Sequence, residues 1–231
     1  GGMAAFRACA LVPFPRVRSM PSSTDLSAEF ATAQQRVRLL QQQPQAFPHP
    51  VERVECIETH ISWVLLAGDF AYKLKKPLQL DFLDFSTHAL RHAACEEELR
   101  INRRTAPGVY LGLVGLVGQV NAGADGAPTT LQVVPWKDAL PGAEPVVWMR
   151  RFAQDALLAA ALDAHRVLPA QIDQLACHVA QFHDAAAIAA STDSWGTAAA
   201  VQAPVDDCVA ALRAPVASAL PGQGPLLAQV V

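Results

Sequence analysis

Three lysines crowd into the segment "GDFAYKLKKP", Gly68 to Pro77, and three carboxylates follow in "CEEELR", Cys95 to Arg100. A lysine is a compact positive charge on a long stem, suited to gripping an anion such as a phosphate. A carboxylate on a neighbouring element can hold that ammonium in place, and the two together form a nucleotide-phosphate device. The plain reading of the same lysines is a solvated strand end. By strand alternation Lys73 and Lys75 share one face, and both are candidates. Lys76 points the other way, into a solvated strand exit at Lys76-Pro77. Glu97 and Glu98 are the candidate partners, flanking a buried helix stripe on opposite sides, while Glu96 faces away.

The elements that must position these groups are legible in the apolar periodicity. Leu26, Phe30, Ala33, Val37 and Leu40 recur at helical spacing, with Thr24 or Asp25 as candidate caps. The proline-punctuated linker "QQQPQAFPHP" follows. "VERVECIETHISWVLLA" reads as β structure, Gly68-Asp69 as a two-residue turn, and "FAYKLKK" as the return strand. Alternation places Ala71, Lys73 and Lys75 on one face and Tyr72 and Leu74 on the other. A helix is expected from about Ser86 to Arg104, capped by Asp84 or Ser86 and ended by Pro107 and Gly108, with Leu90, Ala94, Ile101 and Thr105 as its buried stripe. Strands return in "YLGLVGLVGQV", "TTLQVVPW" and "PVVWMRRF", separated by the loop "NAGADGAP" and a further Pro/Gly loop. After Phe152 the pattern is helical. One short helix contains Leu157, Leu158, Ala161 and Leu162. A second carries the amphipathic series Ile172, Leu175, Ala176, Val179, Phe182 and Ala186. The Ala-rich segment from Ala187 onward, with Pro204, Pro215, Pro221 and Pro225, offers no clear pattern.

Composition narrows the class. The 231 residues are 52% hydrophobic and 17% charged, enough for a real core. A net charge of −3 argues against a general nucleic-acid or membrane-surface binder, so the expectation is no nucleic acid and no membrane. No apolar run reaches the length of a membrane span. Five scattered cysteines, without any CxxC, suit a reducing, cytoplasmic location better than a disulfide framework. The opening residues are basic and acid-free, but Pro13 and Pro15 interrupt their apolar part. Residues 1–20 therefore read as a disordered tail or an upstream-start extension, with Met20 a candidate start, rather than as a signal peptide.

Other tempting patterns have bland readings. Gly112, Gly115 and Gly118 lack the spacing of a phosphate loop and fit a bulged or twisted strand. "LDFLDFS" repeats Asp-Phe without a glycine and reads as a packed connection with a helix cap. His88, His92 and Cys95 could meet a metal, but "HALRHAA" reads as a solvated face. His183-Asp184 lies on the amphipathic helix and reads as structural.

Three blocks carry a resemblance: "ETHISWVLLAGDFAYKLKKPLQLDFLDFS", "CEEELRINRRTAPGVYLGLV" and "VVWMRRFAQDALL". Together they resemble the bacterial aminoglycoside-phosphotransferase-like proteins often described as bifunctional phosphotransferase/ATP-binding proteins, over roughly Pro48 to Ala190. The resemblance implies an α+β fold: a protein kinase-like small lobe of antiparallel sheet plus helix, an N-terminal helix, and a truncated helical large lobe. The implied organisation is 1–20 tail, 21–47 helix and linker, 48–152 small lobe and hinge, and 153–231 incomplete large lobe. It implies ATP and Mg2+ as ligands, with Lys73 at the phosphates. Glu98 leads Glu97 because Ile101 supplies the apolar residue three positions on. Val147, Trp148 and Met149 are implied as the hinge whose backbone reads adenine.

Departures from the family pattern shape the functional expectation. "IETHIS" contains no glycine, so a Gly-rich phosphate lid is absent. The family's "HGDxHxxN"-like catalytic block has no match, since Asn102 and Asn121 are the sole asparagines and both precede the hinge. No GxxxxGK[ST] segment exists either. The expectation is an ATP-binding phosphotransferase homologue that is inactive as this chain, with the missing large lobe or a P-loop ATP-binding domain as partner. The alternatives are a regulatory or interaction module of the same lineage, and a fragment with exposed apolar surface.

Overall fold

The structure, a computed structural model, describes residues 23–80, 82–118 and 130–219. The expected tail at 1–20, the loop "NAGADGAP", Pro221 and Pro225 lie outside the described residues. The chain divides into two units, residues 1–172 and 173–231.

The first unit is α+β and is built on a six-stranded antiparallel sheet. Helix α1 (Ser23–Gln42) leads into β1 (Val54–Glu58), β2 (Ser62–Ala67) and β3 (Phe70–Lys75). A small hairpin, β4 (Gln79–Leu80) with β5 (Leu83–Asp84), precedes helix α2 (His88–Asn102). Strands β6 (Tyr110–Val117), β7 (Gln132–Pro135) and β8 (Glu144–Arg150) follow, then the short helix α3 (Leu158–Asp163). The strand order in the main sheet is β1-β2-β3-β8-β6-β7.

Period-two alternation sorts the side chains of this sheet into two apolar clusters. Trp63, Leu65, Tyr72, Leu74 and Val146 face one way and pack with Val37 and Leu40 of α1. Leu66, Ala71, Val147 and Met149 face the other way, against Cys95 and Leu99 of α2. The expected apolar series on α1 therefore does its work, but the helix already runs at Ser23, so Thr24 and Asp25 lie in its first turn. Gly68 and Asp69 form the expected turn between Ala67 and Phe70, with Gly68 at φ 55°, a left-handed conformation that favours glycine. The glycine-rich stretch is strand β6, with a register irregularity between Tyr110 and Gly112. A Cβ at Gly115 would come within 2.6 Å of the Ala139 methyl, so a close approach explains that glycine.

Helix α2 departs from its expected phase. Its buried residues are Leu90, Arg91, Cys95 and Leu99. Of the expected stripe only Leu90 is buried; Ala94 is half-buried, Ile101 is 47% exposed, and Thr105 lies beyond the helix and is exposed. The buried face includes an arginine, which apolar periodicity does not register. The cap is Thr87, whose side chain accepts from the Leu90 N–H, rather than Asp84 or Ser86. Asp84 instead accepts from the Ser86 N–H at 2.9 Å. "LDFLDFS" contributes a two-stranded hairpin with Phe82 out in solvent and Phe85 buried.

In the second unit the described helices are most of α4 (Pro169–Asp184) and α5 (Ala198–Ala219). Ile172, Leu175 and Val179 of the amphipathic series are exposed. His183 and Asp184 close α4. The segment expected to lack pattern forms the 22-residue α5, which carries Pro204 and Pro215.

Candidate functional site

Strand β3 sits inside the sheet, paired to β2 and β8, so its backbone is rigidly placed. Its α2-facing side chains are Ala71, Lys73 and Lys75, as alternation required. Ala71 is small and lets the helix pack close; the lysines that follow reach along α2 to Glu98. Lys73 Nζ lies 2.7 Å from Glu98 Oε1, and Lys75 Nζ lies 2.7 Å from Glu98 Oε2. One carboxylate thus accepts from both lysines, leaving one net positive charge on the array. Asn102, one turn on, donates to the Glu98 backbone carbonyl at 2.8 Å and secures the helix end.

Burial separates the two lysines. The Lys75 side chain is 5% exposed and its ammonium lies 4.8 Å from the centre of the Phe85 ring. The Lys73 side chain is 26% exposed, so it is the ammonium of the pair that meets solvent. Burial alone would push the Glu98 carboxyl up, but the charge of Lys75 and the hydrogen bonds from both lysines outweigh it and hold it below 4.5. Nearby, burial pushes the Cys95 thiol up to about 12, so it is a neutral packing group rather than a nucleophile. Burial first, and then the Glu98 charge, raise the Tyr110 phenol.

The remaining candidates are placed elsewhere. Glu97 is an exposed residue paired with Arg100 at 2.6 Å, away from both lysines, because the stripe that α2 buries is not the one apolar periodicity selected. Val147, Trp148 and Met149 are not in a connecting segment. They lie within β8, in register with Lys73, Tyr72 and Ala71 on one side and with Leu113, Gly112 and Tyr110 on the other. A strand flanked on both sides spends its N–H and C=O groups on the ladder, which leaves no backbone edge there for an adenine.

Lys76 corrects a further expectation. It is 6% exposed rather than solvated, and donates at 2.6 Å to both Glu58 and the Thr59 carbonyl. Its stem runs beside Trp63, with the ammonium 5.2 Å from the ring centre. It fastens the end of β3 to the turn between β1 and β2. That turn is closed by Thr59 and Ser62, which exchange backbone and side-chain hydrogen bonds of 2.9–3.0 Å. A cross-linked turn stands where a flexible glycine loop was missing.

"HALRHAA" is likewise no solvated face. His88 bonds the Ala143 carbonyl at 2.7 Å, His92 stacks on Trp136 with ring centres 4.7 Å apart, and Arg91 is buried. Arg91 is the residue the sequence concealed. Its fork meets Glu144 at 2.5 and 3.0 Å, Glu29 at 2.5 Å and the Phe85 carbonyl at 3.0 Å. Nothing in its local sequence separates it from a surface arginine, since its partners are 53 and 62 residues away. Among the described residues no group of three or more His, Cys, Asp or Glu side chains is arranged to hold a metal ion. No helix among them is long and apolar enough to cross a membrane.

The chain is 34% identical over 169 residues to an uncharacterized protein of Mycobacterium tuberculosis and, to the same degree, to one of Mycobacterium bovis. The match covers 71% of this chain and 30% of each relative, so the chain spans under a third of the length of these relatives. No family model matches the chain, and no solved structure does.

Proposed function

We propose that residues 48–152 form the small lobe of a kinase-like, aminoglycoside-phosphotransferase-type domain that binds ATP. The observation that carries this reading is the Lys73–Glu98 contact, a strand lysine, its side chain 26% exposed, held by a helix carboxylate. A phosphate would approach the exposed side of Lys73, while Lys75 and Glu98 keep that ammonium from folding away. Mg2+ would arrive with the nucleotide phosphates, and no step is assigned to a protein-bound metal. With Val147–Met149 consumed in the sheet and the Arg151 N–H donated to the Asp69 carbonyl, the adenine edge falls to the backbone at Phe152 and Ala153. The activity proposed for this chain is nucleotide binding. Its proposed partner is the rest of a large lobe or a P-loop ATP-binding domain, and its proposed location the cytoplasm.

The test is thermal unfolding of the chain with ATP, with and without magnesium, in wild type and Lys73→Ala. Wild type is expected to melt at a higher temperature with ATP, and the variant is expected to lose that gain. No stabilisation of wild type sinks the nucleotide reading; an undiminished gain in Lys73→Ala sinks the role of Lys73.

A further inference from the structure

Helices α1 and α2 serve opposite faces of the sheet, and yet one ion cluster joins them. Val37 and Leu40 of α1 pack in the cluster with Trp63 and Tyr72, whereas Cys95 and Leu99 of α2 pack in the cluster with Ala71 and Val147. Among the described residues, the buried apolar side chains of α1 and α2 therefore belong to separate clusters. The ion cluster links the two helices. Glu29 of α1 reaches Arg91 of α2 at 2.5 Å, and Arg91 in turn grips Glu144 at the start of β8. Arg36, two turns along α1 from Glu29, approaches the same Glu144 at 3.8 Å. Arg91 also donates to the Phe85 carbonyl, in the segment that leads into α2.

Arg91 and Glu98 are seven residues apart on one helix, two turns and roughly 10 Å along the axis, on nearly the same face. A rotation or slide of α2 that disturbs Arg91 therefore displaces Glu98 from the lysines. The side chain of Glu29 is 40% exposed while that of Arg91 is 2% exposed, so α1 supplies the solvent-accessible end of an otherwise buried link. We infer that Glu29 is a positioning residue: through Arg91, α1 sets the seat of α2 and with it the Lys73–Glu98 contact. As a device for phosphate binding this rests on the nucleotide reading above; as a statement about Lys73 and Glu98 it does not.

The experiment compares wild type with Glu29→Gln, which keeps the shape and removes the charge, and with Glu29→Asp, which keeps the charge on a shorter stem. The first readout is amide hydrogen exchange across residues 88–102. The second is the labelling rate of the Lys73 amine by an acylating reagent, read by mass spectrometry under conditions where every variant is folded. Both need no nucleotide. In Glu29→Gln, exchange in α2 and labelling of Lys73 are expected to rise severalfold, with strands β2 and β3 unchanged, and Glu29→Asp is expected to fall between. A lowered melting temperature with unchanged Lys73 labelling would make Glu29 merely structural and overturn the inference. Glu29→Asp behaving like Glu29→Gln would overturn the role of its charge. ATP added to wild type decides the nucleotide reading separately: failure to slow Lys73 labelling there counts against ATP at this site and leaves the α1–α2 link standing.

Discussion

Lys73 holds one oxygen of Glu98 at 2.7 Å while Lys75 holds the other at the same distance, so the carboxylate is shared and neither lysine is its sole partner. The two lysines are therefore expected to separate stability from binding. Lys75→Ala removes a buried charged donor and should cost about 1.5–3 kcal/mol. Lys73→Ala leaves Glu98 with Lys75 and removes a partly solvated group, at a cost under about 1 kcal/mol. Urea unfolding of the two variants checks the order. ATP-dependent stabilisation should fail in the cheaper variant, Lys73→Ala, which distinguishes a ligand-facing lysine from a scaffold lysine.

Acid should reveal Glu98. Its carboxyl is held below 4.5 in the folded protein, so its contribution is complete above that value and is lost as pH falls through the depressed one. The stability gap between wild type and Glu98→Gln is expected to be constant near neutrality and to narrow below about pH 4.3. Denaturant titrations at a series of pH values measure this gap, and a gap that widens in acid would contradict the assignment.

Arg91 should be among the least tolerant positions. Arg91→Met leaves Glu144, a carboxylate whose side chain is 9% exposed, with only the longer contact to Arg36. Stranding a buried charge in this way costs about 3–5 kcal/mol. The double change Arg91→Met with Glu144→Leu removes both charges and should recover most of that loss, because an apolar pair of similar volume needs no partner. Urea midpoints of the single and double variants give the comparison.

Lys76 should control the turn between β1 and β2. Lys76→Ala removes the donor to the Thr59 carbonyl and to Glu58. The Thr59 and Ser62 amides are then expected to exchange severalfold faster, while β3 itself, paired on both sides, keeps its protection. Equal exchange in the two proteins would show that Thr59 and Ser62 close the turn without help.

Much of the sheet was legible in advance because strand periodicity is a local property. The Gly68-Asp69 turn, the alternation of Ala71, Lys73 and Lys75 against Tyr72 and Leu74, and the strand that carries Gly112 and Gly115 all follow from residues within a few positions of one another. The facing of Lys73 is local in the same way, being set by its own strand. The place of Val147, Trp148 and Met149 inside the sheet is not local, because whether an apolar strand is an edge, a centre or a connector depends on which neighbours flank it. Ile101 does not place Glu98, since it is exposed; Cys95 and Leu99 face the sheet and carry Glu98 to the lysines with them.

What the sequence alone determined is the type and order of the main strands and of helices α1, α2 and α4, and the facing of the β3 residues, since those depend on backbone geometry and near neighbours. The tertiary structure decided which charges are buried. Lys75, Lys76 and Arg91 look like surface residues in a linear reading, because desolvating a cation is costly. They are buried here because Glu98, Glu58 and Glu144 reach them from elements 18 to 53 residues away. That cost can be met only where distant partners arrive together, and no local pattern records their arrival.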